Sequence, residues 1–139
     1  MKECWELGEL YPGAHIRVSM NNFYHHGIYI GNNEVVQFGL PNAINTEAKD
    51  VKVLRSPIED FAKDGFIEIR RYSKKEQKLK RPDEEIVKVA LSKVGEGGYN
   101  LIHNNCEHFA NFCVFGVKAS KQMDDIHKNV LKLFDKRKW

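Results

Sequence analysis

The sequence predicts an α+β domain, a small antiparallel sheet packed against helices. Three observations carry this. Runs rich in β-branched and aromatic residues crowd the first half, helical periodicity fills the second, and Asn-Asn pairs break the early runs where tight turns suit antiparallel neighbours. HIRVSM (15 to 20), HHGIYIG (25 to 31) and EVVQFG (34 to 39) read as strands, as do VKVL (51 to 54) and FIEIRR (66 to 71). Between the last two, SPIEDFAKD offers a Ser cap and a Pro at the first helical position, so a short helix is expected to interrupt the sheet. RYSKKEQKLKR (71 to 81) holds six Lys or Arg against one Glu and reads as a solvated linker. RPDEEIVKVALSKVGEGG then opens on Pro and acids, places Ile86, Val89 and Ala90 near one face, and stops at glycines: a well-defined helix. A helix from about 106 to 116 carries a cysteine in its first turn. A last amphipathic, basic helix is expected from about 120 to 136, with Met123, Ile126, Val130, Leu133 and Phe134 at helical spacing and Lys128, Lys132 and Lys136 between them.

The 139 residues suit one domain spanning 1–139, with its core over about 8–118, and 42% apolar content supports a packed interior. The cysteines at 4, 106 and 113 form no paired framework, which points to a reduced, cytoplasmic setting. Neither a signal peptide nor a membrane-spanning run is expected. A net charge of +3 is too small to point to nucleic acid. The basic C-terminal helix either packs on the domain or rests peripherally on an anionic lipid surface.

NNCEHFAN (104 to 111) is the chemically suggestive stretch. Cys106, Phe109, Ala110 and Cys113 share a helical face, and free cysteine is commonly a small buried hydrophobe, which suits Cys113. Cys106 differs because Asn105 is a good N-cap. The sulfur then sits where unpaired N–H groups and the helix dipole favour a thiolate and can hold an oxyanion. Such a thiol needs a base, and His15, His25, His26, His103, His108 and His127 are available. H-x2-C-x-H invites a zinc reading, but no C-x2-C or H-x3-H pair completes a site, so neither metal nor other cofactor is implied. His108 reads as a satisfied structural imidazole. His25 and His26 point to opposite faces of their strand, so one reaches the cysteine helix and the other faces away. Gln37 is the candidate for orienting the base. It shares a face with His25 if the hairpin loop is Gly31-Asn32-Asn33, and with His26 if the loop is Asn32-Asn33.

HHGIYIGNNEVVQFG and, about eighty residues later, YNLIHNNCEHFANFCVFGV resemble the H-box and NC-box of the lecithin:retinol acyltransferase family; YPGAHIRV, KVGEGG and FGVKASKQ extend the likeness over nearly the whole domain. The resemblance implies a circularly permuted NlpC, papain-like fold. It implies Cys106 as nucleophile, His25 (six before Gly31) as base and Gln37 (six after Gly31) as the residue orienting it. It also favours the three-residue loop. Acyl-transferring members carry an acyl group from a phospholipid ester through a cysteine thioester to an alcohol, an amine or water, so an acyl-donor lipid or small molecule is the expected partner. Gln37 departs from the histidine usual there; an amide accepts from an imidazole N–H and orients it without titrating. The first expectation is thus a thiol acyltransferase or acyl hydrolase with main-chain N–H groups near Cys106 as oxyanion hole. The others are an NlpC-like peptidase or amidase, and a non-catalytic interaction module. Phe23, Tyr24 and Tyr29 are read as core rather than acyl-pocket residues.

Overall fold

The computed structural model describes residues 3–20, 23–41, 47–100 and 104–116. Six strands, β1 (Cys4–Glu6), β2 (His15–Ser19), β3 (Tyr24–Gly31), β4 (Glu34–Phe38), β5 (Val53–Pro57) and β6 (Ile67–Arg71), form one sheet in the order β1-β6-β2-β3-β4-β5, with every pairing antiparallel. With α1 (Ile58–Ala62), α2 (Lys74–Leu79), α3 (Asp83–Ser92) and α4 (Cys106–Phe115), the class is the expected α+β.

Strand alternation divides the core into two. On one face Ile28, Val36, Phe38 and Val53 pack against Ile86 and Ala90 of α3 and Phe109, Ala110, Cys113 and Val114 of α4. On the other, Ile16, Val18, Tyr29, Val35 and Ile69 close over Phe61 of α1. By the same alternation His26, together with His15 opposite Ile28, faces α4. His25 and Gln37 fall on the α1 face. Tyr29 is indeed core, and its hydroxyl accepts from the Asn33 N–H at 3.1 Å.

One strand is added and two local expectations are corrected. The N-terminal residues Cys4–Glu6 add an edge strand on β6, too short to announce itself by pattern. Ser56 is not a helix cap: β5 runs on through Pro57, and Ser56 is buried in the strand. The stretch from 71 to 81 is not a bare linker. Within it Ser73 and Glu76 close a capping box on α2, and Arg81 N–H bonds the Val114 carbonyl at 2.8 Å, strapping the segment across the end of α4. The expected helix from about 120 to 136, His103 and His127 lie outside the described residues. No described helix is long and apolar enough to cross a membrane.

Three imidazoles, His15, His25 and His26, are at most 3% exposed, and burial lowers all three pKa values below the usual histidine value. Each is therefore neutral in the folded chain near neutral pH, while the unfolded chain takes up protons from about pH 6.5 downward. Stability is expected to be full above that pH and to fall as pH drops through 6 to 5. The limiting slope approaches about 1.4 kcal/mol per pH unit for each histidine that protonates only on unfolding. Urea melts at several pH values check this; a midpoint flat between pH 7 and 5 refutes it.

Candidate active site

The site begins with a turn. Asn32 and Asn33 both have positive φ, 53° and 61°, the backbone of a two-residue type I′ hairpin turn that asparagine tolerates. A two-residue turn alone would place Gln37 with His26. However, the register shifts between Tyr29 and Gly31, so Gly31 pairs with Glu34 while Gly27 pairs with Gln37. This bulge adds one residue to β3 and restores the parity of a three-residue loop. Gln37 accordingly shares a face with His25, although the turn is the shorter of the two considered.

The consequence is a buried hydrogen-bonded line. Gln37 Oε1 accepts from His25 Nε2 at 2.7 Å, and Gln37 Nε2 donates to Ser56 Oγ at 2.5 Å. With its proton on Nε2, the His25 ring keeps its lone pair on Nδ1, the form that a general base needs. Phe61 lies 5.2 Å from the imidazole, centroid to centroid. It reaches that position because residue 27 is glycine: a Cβ there would stand 2.8 Å from Phe61 Cε1 and 2.9 Å from Val35 Cγ1. Ser56, the third member, has the sequence signature of a helix cap, Ser before Pro, yet lies in β5. Its place opposite Val35 in β5 is what identifies it.

Asn105 caps α4 as expected. Its Oδ1 accepts from the N–H groups of Glu107 at 3.0 Å and His108 at 3.1 Å, and His108 Nδ1 accepts from the Asn105 N–H at 3.0 Å. His108 is thereby a capping imidazole. Among the described residues, no cluster of three His, Cys, Asp or Glu has metal-site geometry.

Cys106 starts the helix against β3. Tyr29 exchanges main-chain bonds with Gly13 and Ala14 on the β2 side, so by alternation residues 24, 26 and 28 turn their N–H and C=O groups toward β4. Pairing with β4 begins at Gly27↔Gln37, and Sγ occupies the edge beyond it. There it lies 4.0 Å from the Tyr24 carbonyl oxygen and receives the His26 N–H. The sulfur is thus level with the backbone of His25, held by the residues immediately before and after it. Its described polar partners are these main-chain groups, with the N–H groups of Cys106 and Glu107, rather than the imidazole.

The position at a helix N-terminus does not make the thiol acidic. Cys106 is 6% exposed, and burial pushes its pKa up to about 11, with the Glu107 charge adding to the rise and the N–H groups opposing it. Burial likewise brings His25 down to about 4, against the Gln37 bond. The resting pair is neutral thiol and neutral imidazole. Alkylation of Cys106 by iodoacetamide is therefore expected to keep rising with pH beyond 9; a plateau near pH 7 contradicts this.

Comparison with known proteins agrees with the motifs. The family profile described as lecithin retinol acyltransferase matches residues 8–119. The chain is 27% identical over 150 residues to the lecithin retinol acyltransferase of Rattus norvegicus, covering 93% of this chain and 64% of that protein. It is 26% identical over 147 residues to that of Homo sapiens, covering 91% and 64%. With human phospholipase A and acyltransferase 1 it shares 31% over 134 residues, covering 86% of this chain and 78% of that protein. The chain spans just under two thirds of the length of the lecithin retinol acyltransferases it matches. The profile match over most of the chain, joined to a paired H-box hairpin and an NC-box helix, establishes that the chain belongs to the lecithin retinol acyltransferase family.

Proposed function

We propose that the protein is a thiol acyltransferase or acyl hydrolase whose nucleophile is Cys106, whose base is His25 and whose orienting residue is Gln37. The observation that carries this reading is the seating of Sγ on the strand edge between the backbone of residues 24 and 26, with the imidazole between them fixed through Nε2. In the proposed sequence the Cys106 proton passes to His25 Nδ1 as Sγ attacks an ester carbonyl. The oxyanion is held by main-chain N–H groups of the first turn of α4 and of His26. The imidazolium returns the proton to the departing alcohol, leaving a thioester on Cys106. An alcohol, amine or water then gives its proton to His25 and takes the acyl group as the C–S bond breaks, and the imidazolium returns that proton to the departing Cys106 sulfur.

Because thiol and imidazole are both neutral at rest, proton transfer accompanies attack instead of preceding it, and displacement of water by an apolar acyl chain suits that order. Ester lipids are the proposed donors, since the relatives are named for lecithin, retinol and phospholipid chemistry. A reduced, cytoplasmic setting with peripheral membrane contact through the basic 120 to 136 segment completes the reading.

One second reading has an observation behind it. Gln37 cannot share a proton with His25, and the resting thiol is not ionised, as befits a module that keeps the fold without catalysis. An activated ester separates the two. Intact-mass spectrometry is expected to show one acyl group on Cys106, absent in Cys106→Ser and strongly slowed in His25→Ala. No acylation of the wild type by the ester or by a phospholipid panel between pH 6 and 10 favours the module.

A further inference from the structure

The two motifs leave unused the second histidine of the first, His26, and the residue after the cysteine in the second, Glu107. The fold brings both together with His15. All three are buried, at 1%, 2% and 0% exposure respectively. His15 Nε2 lies 2.8 Å from His26 Nδ1, and His26 Nε2 lies 3.9 Å from Glu107 Oε2. Trp5 of β1 closes over both imidazoles, edge-on, at 5.0 and 5.6 Å.

Proton counting gives this line a direction. A 2.8 Å N···N contact needs one donor and one acceptor, and each neutral ring carries a single N–H. If His26 held its proton on Nδ1, its bare Nε2 would face Glu107, and His15 would carry an N–H on Nδ1. That Nδ1 is buried with no partner among the described residues, and an orphaned N–H is rarer in proteins than an under-used acceptor. The opposite arrangement leaves only a bare lone pair there. His15 Nε2–H then donates to His26 Nδ1, and His26 Nε2–H points at Glu107.

We propose that His15, His26 and Glu107 form a one-directional chain of positioning residues that fixes Cys106 against β3 and offsets the Glu107 charge beside its sulfur. His26 is the link, since its main chain donates to Sγ while its side chain faces the residue that follows Cys106. The charged groups around the chain are Arg17 of β2, paired with Glu68 of β6, and Arg70 of β6, which bonds Asn111 of α4 and Glu76 of α2. Burial above all, then a neighbouring imidazole (His26 for His15, His25 for His26) and both arginines, keeps the two rings neutral. The proposal rests on Cys106 as the reactive thiol, but its test needs no turnover.

Long-range 1H–15N correlation spectra of the wild type are expected to show His15 and His26 as Nε2–H tautomers that stay neutral to pH 5. In Glu107→Gln, Cys106 alkylation at pH 8 is expected to rise about fivefold, and in His26→Phe to fall about fivefold, shifts of over half a pKa unit. The double variant should stay near the Glu107→Gln rate, since His26 then has no charge to offset; a return to the wild-type rate would mark two independent effects and overturn the coupling. An Nδ1–H on either ring, titration near pH 6.5, or alkylation unchanged in both single variants overturns the proposal. The spectra decide even if a variant fails to fold.

Discussion

Replacing His25 with alanine is expected to slow acylation of Cys106 by an activated ester about 10³-fold, within the range for removing a positioned general base. His25 is the proposed base: its backbone is level with the sulfur, and its ring is held in a single tautomer through the 2.7 Å bond to Gln37. Gln37→Ala should cost less, about 10- to 100-fold, because the base remains but its ring is free to turn and Ser56 loses the donor it accepts from. The two rates, followed by intact mass at pH 8, distinguish a base from its holder. Equal rates in His25→Ala and wild type refute the assignment.

Phe61→Ala is expected to give the largest loss of stability, about 3–5 kcal/mol by the usual cost of deleting a buried aromatic ring. Phe61 is fully buried at the centre of the α1-side core and packs on the His25 ring. The short helix that carries it has five residues and cannot stand without this anchor. The same change frees space beside the imidazole, so acylation should fall even at temperatures where the variant remains folded. Urea melts give the first quantity and ester kinetics the second. A loss below about 1 kcal/mol would show that α1 does not hold the site.

Much of this architecture is legible in the residues, for identifiable reasons. Strands β2, β3, β4 and β6 announce themselves because β-branched and aromatic residues alternate between firm breaks, and α3 because its acids and glycines mark both ends. The Asn105 cap and the first-turn cysteine are readable from local chemistry alone. The pairing of His25 with Gln37 is not, because a bulge between Tyr29 and Gly31 reverses the parity set by the two-residue turn, and bulges depend on neighbouring strands. Ser56 was hidden by a local rule, Ser before Pro as a helix start, that lost to β5 pairing. The basic run from 71 to 81 reads as solvated because its charges are counted locally, whereas Lys80 and Arg81 find partners in α3 and α4. An acidic Cys106 followed from its helix position, but burial outweighs the dipole, and burial is a property of the whole fold.

The central claim is that the Cys106 sulfur and the His25 imidazole meet. The short bis-electrophile 1,3-dibromoacetone tests it most directly, because its three-carbon span bridges a thiolate and a ring nitrogen only when they are near neighbours. At pH 9, peptide mapping is expected to recover a Cys106–His25 cross-link, lost in Cys106→Ser and in His25→Ala. Recovery of Cys106 alkylated at one end alone, or bridged to another histidine, contradicts the account.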